Sequence, residues 1–233
     1  MPRFPFVRLL SLLAACALVY LPSPSEAADA WAVKAQRRLN ALHCNAGPAD
    51  GKVGPMTRSA VVRFQSRHGM AQTGRLTKPV RARLHRADAR RCDVRPVPRH
   101  SGTGRRIVLS QRQNWVWLVG PKGHVIAQGG VIDLPSELPR GPHATGSYCG
   151  RSARIKHNTD TGGQLWLDNF VRFAPCGIGF HRIPRYRSNG RQIHPDWYLG
   201  TNFAQSHGCI RLSRAMSLRV WNFTVHRTRV RVV

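Results

Sequence analysis

The chain has 233 residues, enough for one domain of medium size and a second small one. Its 37 Lys and Arg residues outnumber its 10 Asp and Glu residues, which gives a formal net charge of +27. The arginines are spread through every segment instead of being gathered on one recognition helix, and this argues against nucleic acid as the partner. Such a surface favours other anionic partners, although an Arg-rich composition from a GC-rich genome is a second source of the charge.

The first residues predict a secretory signal peptide at residues 1–27. Two arginines precede an apolar run at residues 9–21, and small residues suited to signal peptidase follow at 25–27. The run is too short to span a bilayer, so we expect an exported protein without a transmembrane helix after the signal is removed. A lipoprotein anchor on Cys16 is the alternative, but the apolar run continues past this cysteine.

Three helices are predicted in the N-terminal part of the chain. Apolar residues recur at three and four positions over residues 31–42, which indicates one face of a helix. A loop rich in turn formers then ends at Pro55, where a second helix can begin and run to about Gly69. Thr77 is placed to cap a short third helix.

Two sequence patterns in this part resemble the peptidoglycan-binding domain 1 family. They are Q-R-R-L-N-A-L and D-G-x-x-G-P-x-T-R-x-A-V-x-x-F-Q, with the Asp50-Gly51 turn and the helix at 58–65 in register. The resemblance covers about residues 31–85 and implies a three-helix bundle that recognises the wall polymer. We place this domain at residues 29–92.

The chain changes character after a segment punctuated by Pro and Gly at residues 93–105, which is predicted to be a linker. Residues 106–233 contain short β-rich runs separated by turns, the first three of which suggest consecutive antiparallel strands. Strands are predicted at residues 107–109, 115–119, 125–127, 165–167, 171–173, 179–181 and 230–233. Together with one late helix at residues 213–223, these runs predict a mainly-β sandwich and an α+β fold with more than one domain.

The strongest chemical signal is the stretch S-H-G-C-I-R-L, which contains Cys209. Gly208 lets another backbone approach the thiol, and nearby histidines can take its proton. The best partner is His181 in the segment G-F-H-R-I-P, where an apolar residue precedes the histidine at the end of a predicted strand. A nucleophile and a base from separate segments are typical of Cys/His catalysis.

These two motifs resemble those of the YkuD-type L,D-transpeptidases, secreted cysteine enzymes that cross-link peptidoglycan. The spacer of 209 − 181 = 28 positions is longer than the commonest family spacing, which predicts an insertion carrying residues 185–192. Arg182 stands where the family usually has a small residue. The resemblance implies a YkuD-like β-sandwich, with the catalytic domain at residues 106–233.

The resemblance also implies the chemistry. His181 accepts the proton of Cys209, and the thiolate attacks a stem-peptide carbonyl, with main-chain amides of Gly208 and Cys209 as the expected oxyanion hole. An amine of a neighbouring stem then forms a 3→3 cross-link. Neither a cofactor nor a metal is expected.

Further site residues are assigned supporting roles in this scheme. His207 is assigned to the catalytic group, mainly to order the nucleophile loop, and His194 is a reserve base. Ser206 and Arg211 flank the nucleophile and are expected to contact substrate. Tyr148 ends a segment that resembles the family's T-P-T-G-x-F turn, and it is expected to do the same. The polar residues 151–163 are a candidate lid.

Cysteine counting supports export. Once Cys16 is removed with the signal, five cysteines remain; if Cys209 stays a thiol, the other four can form two bridges. The division into domains selects the pairs Cys44 with Cys92 and Cys149 with Cys176. A zinc site built from these four is the rival, but no C-x-x-C spacing is present.

The sequence thus predicts a secreted L,D-transpeptidase in the cell wall or periplasmic space. Its expected partners are peptidoglycan stem peptides and glycan, together with anionic wall polymers. Three alternatives stay open: an L,D-carboxypeptidase or endopeptidase that trims stems, a non-catalytic wall-binding protein, and a basic nucleic-acid binder.

Overall fold

The computed structural model describes residues 24–233, with side chains from residue 30 onward except that of Cys176. Most of the predicted signal peptide, including Cys16, lies outside the described residues. No helix within the described part of the chain has both the length and the apolar character needed to cross a membrane.

The predicted three-helix bundle is confirmed. Its helices are α1 (Pro24–Ala41), α2 (Pro55–Arg67) and α3 (Lys78–Leu84). The second helix begins at Pro55 as expected, because proline has no amide hydrogen to lose and its fixed φ suits the first turn. Thr77 is the N-cap of α3, but its side chain makes no capping hydrogen bond. The core of the bundle is formed around Leu39, Phe64 and Leu84, all fully buried.

A disulfide closes the bundle as predicted. Cys44 and Cys92 are bonded across a sequence separation of 48 residues, and both are buried. Cys149 is also disulfide-bonded. Its predicted partner Cys176 has a side chain outside the described residues, so that pairing stays a prediction.

We expect the double substitution Cys44→Ser/Cys92→Ser to lower the free energy of unfolding of the bundle by about 4 kcal/mol, because the bridge closes a long loop in the unfolded chain. Urea unfolding followed by helical circular dichroism measures this loss. Cys209→Ser, which removes a thiol outside the bridge, is the matched control. An unchanged urea midpoint in the double variant would contradict the expectation.

The C-terminal part consists of two sheets, each of five strands. Its elements are β1 (Arg106–Ser110), β2 (Trp115–Val119), β3 (Val125–Gly130), β4 (Gly141–Ala144), β5 (Arg154–Thr159), β6 (Leu165–Arg172), β7 (Gly179–Arg182), β8 (Arg185–Tyr186), β9 (Ile210–Leu212), α4 (Arg214–Phe223) and β10 (Arg229–Val232). The first sheet has the order β3-β2-β1-β10-β4, and the second has the order β5-β6-β7-β9 with β8 beside β6. The mainly-β fold with one late helix is therefore confirmed, as is the antiparallel pairing of β1, β2 and β3.

Three details of the strand prediction are wrong. The runs predicted at residues 165–167 and 171–173 fall on one strand, β6, which ends at Arg172, one residue before the end of the second run. Strands β4, β5, β8 and β9 were not predicted. The candidate lid at residues 151–163 contains β5, which is paired along its length with β6. This segment is therefore part of the sheet, and its polar sequence reflects a strand with little burial.

Two buried arginines join the bundle to the sheets. Arg63 of α2 donates from Nη1 to the carbonyls of Trp197 (2.7 Å) and Leu199 (3.1 Å). Arg95 donates from Nη1 to the carbonyl of Gln113 (3.0 Å), and its guanidinium lies 4.0 Å from the centre of the Trp115 ring. Because Arg95 belongs to residues 93–105, the predicted linker is packed between the two parts at this point and is not a loose tether.

Candidate active site

The pairing of β7 with β9 determines where Cys209 lies relative to His181. These strands are parallel, with His181 opposite Arg211. Cys209 immediately precedes β9, where the register continues to Gly179, two positions before His181 on β7. No hydrogen bond among the described residues joins the two side chains, since Cys209 bonds to Gly177 and His181 to Arg182. His181 and Arg211 therefore share one face of the second sheet, and Cys209 lies next to them in the chain segment that leads into β9.

The other face of these strands is buried in the core. Phe180 of β7 and Ile210 and Leu212 of β9 have no exposed surface and belong to the main core cluster. Apolar side chains thus alternate with His181 and Arg211, and this alternation directs the polar residues away from the core.

Cys209 is the free cysteine among the described residues and is half-buried. Its Sγ donates to the carbonyl of Gly177 at 3.3 Å. Burial raises the pKa of the thiol, while the amide of Gly179 and the positive charges of Arg172 and Arg211 offset this in part. The group is therefore a neutral thiol at pH 7, and a base is needed to activate it.

His181 has the protonation state that such a base requires. The ring is 2% exposed, and its Nδ1 lies 2.5 Å from the carbonyl oxygen of Arg182. Because a carbonyl can only accept, Nδ1 carries the proton and Nε2 retains its lone pair. Burial lowers the pKa of His181 to about 4, so the imidazole is neutral at pH 7.

Phe170 of β6 supports the His181 ring from the neighbouring strand. The two rings stack at a centroid distance of 6.1 Å and an interplanar angle of 16°. A glycine at position 179 is required here, because a Cβ on that residue would lie 2.6 Å from the Phe170 ring and 2.8 Å from the carbonyl of Val171.

The loop before Cys209 is shaped by Ser206 and Gly208. Gly208 has a φ of +109°, which favours glycine, and its amide donates to Ser206 Oγ at 3.0 Å. Ser206 thus supports the turn. The Gly208 amide would have to break its hydrogen bond to Ser206 before it could donate to an oxyanion. The ring of His207 is exposed, and the described residues offer it no hydrogen bond for an ordering role.

Arg211 is a buried cation on the site face. It is 8% exposed, and its guanidinium forms no hydrogen bond or ion pair with the described residues. Its charge acts on Cys209, His181 and His194, which shows that these groups surround it. A guanidinium in this setting is available for a carboxylate.

Two other predicted residues have structural contacts. Tyr148 donates from its hydroxyl to the carbonyl of Ala144 at 2.7 Å and so braces the turn after β4. The reserve base His194 is buried in a loop with Nδ1 3.1 Å from the carbonyl of Pro195, and its Nε2 has no partner among the described residues. Burial lowers the pKa of His194, so it too is neutral at pH 7.

Arg172, at the end of β6, is a residue near the nucleophile that was not predicted. It pairs with Gly179, and its charge acts on Cys209. Its Nε donates to the carbonyl of Ser152 at 3.2 Å, whereas its buried Nη1 has no partner among the described residues. The sequence feature that could have indicated a functional role for this residue is its position as a charged side chain inside the apolar run F-V-R-F.

Asp133 is a second missed residue beside the nucleophile loop. Its carbonyl accepts from the amide of Ser206 at 3.3 Å, while its buried Oδ2 has no partner among the described residues. Burial raises the pKa of this carboxyl from 3.8 to about 6.

The free energy of unfolding of Asp133→Asn, compared with that of the wild type, is expected to rise by about 3 kcal/mol as the pH increases from 4 to 7. Between pH 3.8 and about pH 6 the unfolded carboxyl ionises while the folded one keeps its proton, so wild-type stability falls through this window and the Asn variant avoids the loss. Urea unfolding of both proteins across this range measures the difference. Asp160→Asn is the control, and a difference independent of pH would contradict the expectation.

Within residues 24–233, no group of three or more His, Cys, Asp and Glu side chains is placed to hold a metal ion.

Several solved structures are similar to the chain. An L,D-transpeptidase from Xylanimonas cellulosilytica is 22% identical, with a TM-score of 0.46 over 87% of this chain and 92% of that one. An L,D-transpeptidase from Stackebrandtia nassauensis is 18% identical, with a TM-score of 0.45 over 87% and 90%. L,D-transpeptidase 1 of Mycobacterium tuberculosis is 17% identical, with a TM-score of 0.39 over 57% and 63%. No curated protein matches the chain.

Two family models match in sequence. The model of a peptidoglycan binding domain covers residues 32–84, and that of the L,D-transpeptidase catalytic domain covers residues 84–232. The second match spans well over half of the chain. The chain therefore belongs to the L,D-transpeptidase family and carries a peptidoglycan-binding domain before its catalytic domain.

Proposed function

We propose that this L,D-transpeptidase forms 3→3 cross-links between peptidoglycan stem peptides, with Cys209 as nucleophile and His181 as general base. The observation that supports this most is the register of β7 with β9, which brings the segment carrying a free thiol beside the strand that carries a neutral imidazole. The thiol has a raised pKa and cannot ionise alone at pH 7, whereas Nε2 of His181 has an open lone pair.

The reaction then follows in two halves. Nε2 of His181 takes the proton of Cys209 as Sγ attacks the stem carbonyl, and the developing oxyanion is held by the amide of Cys209. The terminal D-alanine leaves with the proton from His181, which gives a thioester. The side-chain amine of a second stem attacks this thioester, loses a proton to His181 and releases the Cys209 thiol.

Arg211 and Arg172 supply charge at the two sides of the nucleophile. Both act electrostatically on Cys209; Nη1 of Arg172 is buried without a hydrogen bond, and the Arg211 guanidinium has no hydrogen bond or ion pair with the described residues. We assign to Arg211 the binding of a stem carboxylate, because its whole guanidinium lacks a protein partner among the described residues. These charges also stabilise the thiolate as it forms.

The remaining parts of the proposal concern location and targeting. We propose that the chain is exported by a signal at residues 1–27 and acts in the cell wall or periplasmic space. The domain at residues 29–92 would bind wall glycan, residues 93–105 would connect it to the catalytic domain at 106–233, and the cationic surface would attract anionic wall polymers.

Mass spectrometry of the purified enzyme with a disaccharide-tetrapeptide tests the reaction. Muropeptide dimers with loss of D-alanine are expected for a 3→3 transferase. Shortened monomeric stems alone would assign the enzyme as an L,D-carboxypeptidase, in which water replaces the amine. Unchanged substrate together with sedimentation on wall sacculi would leave only a wall-binding protein.

A further inference from the structure

A cavity of about 270 Å³ lies on the first sheet, which does not contain Cys209. It is formed where the end of the segment 93–105 folds against β4 and β10. We call it the tether pocket. The side chains that matter here are those of Ser101, Thr103, Arg106, His143, Arg229 and Arg231.

The tether pocket is strongly cationic. Three arginines and two histidines line it, and its lining contains neither Asp nor Glu. None of the three arginines forms an ion pair with any described residue. Burial lowers the pKa of Arg106, and the nearby charge of Arg229 lowers it further, which shows that these cations repel one another without a neutralising acid.

Arg106 is built into the wall of the pocket. It is 8% exposed, and it donates from Nε to the carbonyl of Ser101 at 2.9 Å and from Nη2 to the Ser101 hydroxyl at 3.2 Å. Arg229 donates to the carbonyl of Thr103 at 3.0 Å, whereas the half-buried Arg231 side chain has no hydrogen bond within the described chain. The segment is thus held in place while part of the positive charge is left for another ligand.

The backbone of the segment also suits an anion. Alternate residues have positive φ: His100 (57°), Gly102 (83°) and Gly104 (69°), and the residues between them do not. Backbone that alternates between left- and right-handed conformation directs successive amides into one concavity, a recurrent anion-binding arrangement, and positive φ at every second residue is one half of that pattern. Glycine is needed at position 104, since a Cβ there would lie 2.9 Å from Nη2 of Arg229.

We propose that the tether pocket binds a phosphate group. A tetrahedral oxyanion accepts hydrogen bonds in several directions, and the pocket lines one volume with guanidinium groups, the Thr103 hydroxyl and the backbone of the segment, while the Ser101 hydroxyl donates to the carbonyl of Pro98. The cavity has room for a phosphate with a short attached moiety, such as a unit of a phosphodiester polymer or a lipid headgroup. Because this site is on the other sheet, the inference does not depend on the chemistry at Cys209.

Titration of ¹⁵N-labelled protein with inorganic phosphate, with chloride balancing the ionic strength, tests the site. We expect saturable shifts of the Gly102 and Gly104 amide resonances. Arg229→Gln/Arg231→Gln should weaken binding about tenfold or more, because two charged donors are lost. Arg37→Gln/Arg219→Gln removes the same charge from two exposed helical positions and is expected to leave the affinity unchanged.

The proposal would be overturned if phosphate affinity fell equally in both double variants. It would also be overturned if phosphate shifted other amide resonances of the wild type while those of Gly102 and Gly104 stayed unchanged. The wild-type amide map is the test that survives if the pocket variant folds poorly. Sedimentation with vesicles of phosphatidylcholine and phosphatidylglycerol, compared with retention on immobilised poly(glycerol phosphate), distinguishes a lipid from a polymer source. The site is supported if the wild type binds the vesicles or the polymer, Arg229→Gln/Arg231→Gln does not, and Arg37→Gln/Arg219→Gln still does.

Discussion

Cys209→Ala is expected to abolish cross-linking, with a loss of about 10⁴-fold or more in rate, because an amide carbonyl is not attacked without the sulfur nucleophile. The same substitution should remove the covalent adduct with a carbapenem, an acylating agent that the resemblance to this family implies. Intact-protein mass spectrometry reads the adduct directly, and the disaccharide-tetrapeptide reaction reads the rate.

The Ala variant also separates catalysis from adhesion. The Cys209 side chain is half-buried and outside the bundle, so sedimentation on wall sacculi should be unchanged. His207→Ala, on the exposed neighbour, is a matched control for disturbance of the loop. A carbapenem adduct of unchanged mass and yield on Cys209→Ala would remove the assignment of the nucleophile.

The fold was predictable wherever one face of an element was apolar. The run W-V-W-L-V predicts a strand and the apolar periodicity at residues 213–223 predicts a helix, and the structure has β2 and α4 at these positions. Strand β5 was not recognised because its sequence, R-I-K-H-N-T, is largely polar and buries little apolar surface, even though it pairs with the next strand, β6, as a hairpin. Strand β9 has only three residues, so its periodicity is too short to stand out.

The site was predictable in its motifs but not in its electrostatics. Cys209 and His181 are candidates that local sequence motifs alone suggest. Arg172 comes near the nucleophile only through the register of β6 with β7, and Asp133 only through its contact with the Ser206 loop. Asp133 and Ser206 are far apart in the chain, and so are the strands β7 and β9 that complete the path from Arg172 to Cys209, so no local pattern encodes these contacts. The packed position of Arg95 in the predicted linker was missed for the same reason.

His181→Gln is expected to lower the rate of acylation about 10²- to 10⁴-fold, since the neutral thiol then lacks a proton acceptor. The pH profile gives a second readout. Because the pKa of His181 is lowered to about 4, the base stays unprotonated as the pH falls from 7 to 5, and the wild-type rate should not fall in this range through protonation of this residue. Below about pH 4 the protonated ring cannot accept a proton, so the acid limb should appear there.

The matched control is His194→Gln, because His194 is also buried and neutral but lies in a loop off the β7 and β9 pair. Stopped-flow acylation by a carbapenem measures both variants, with circular dichroism as a check on folding. A full rate in His181→Gln with a large loss in His194→Gln would transfer the role of base to His194. The expected result is the reverse, because His181 has an open Nε2 and lies on β7, the strand beside the segment that carries Cys209.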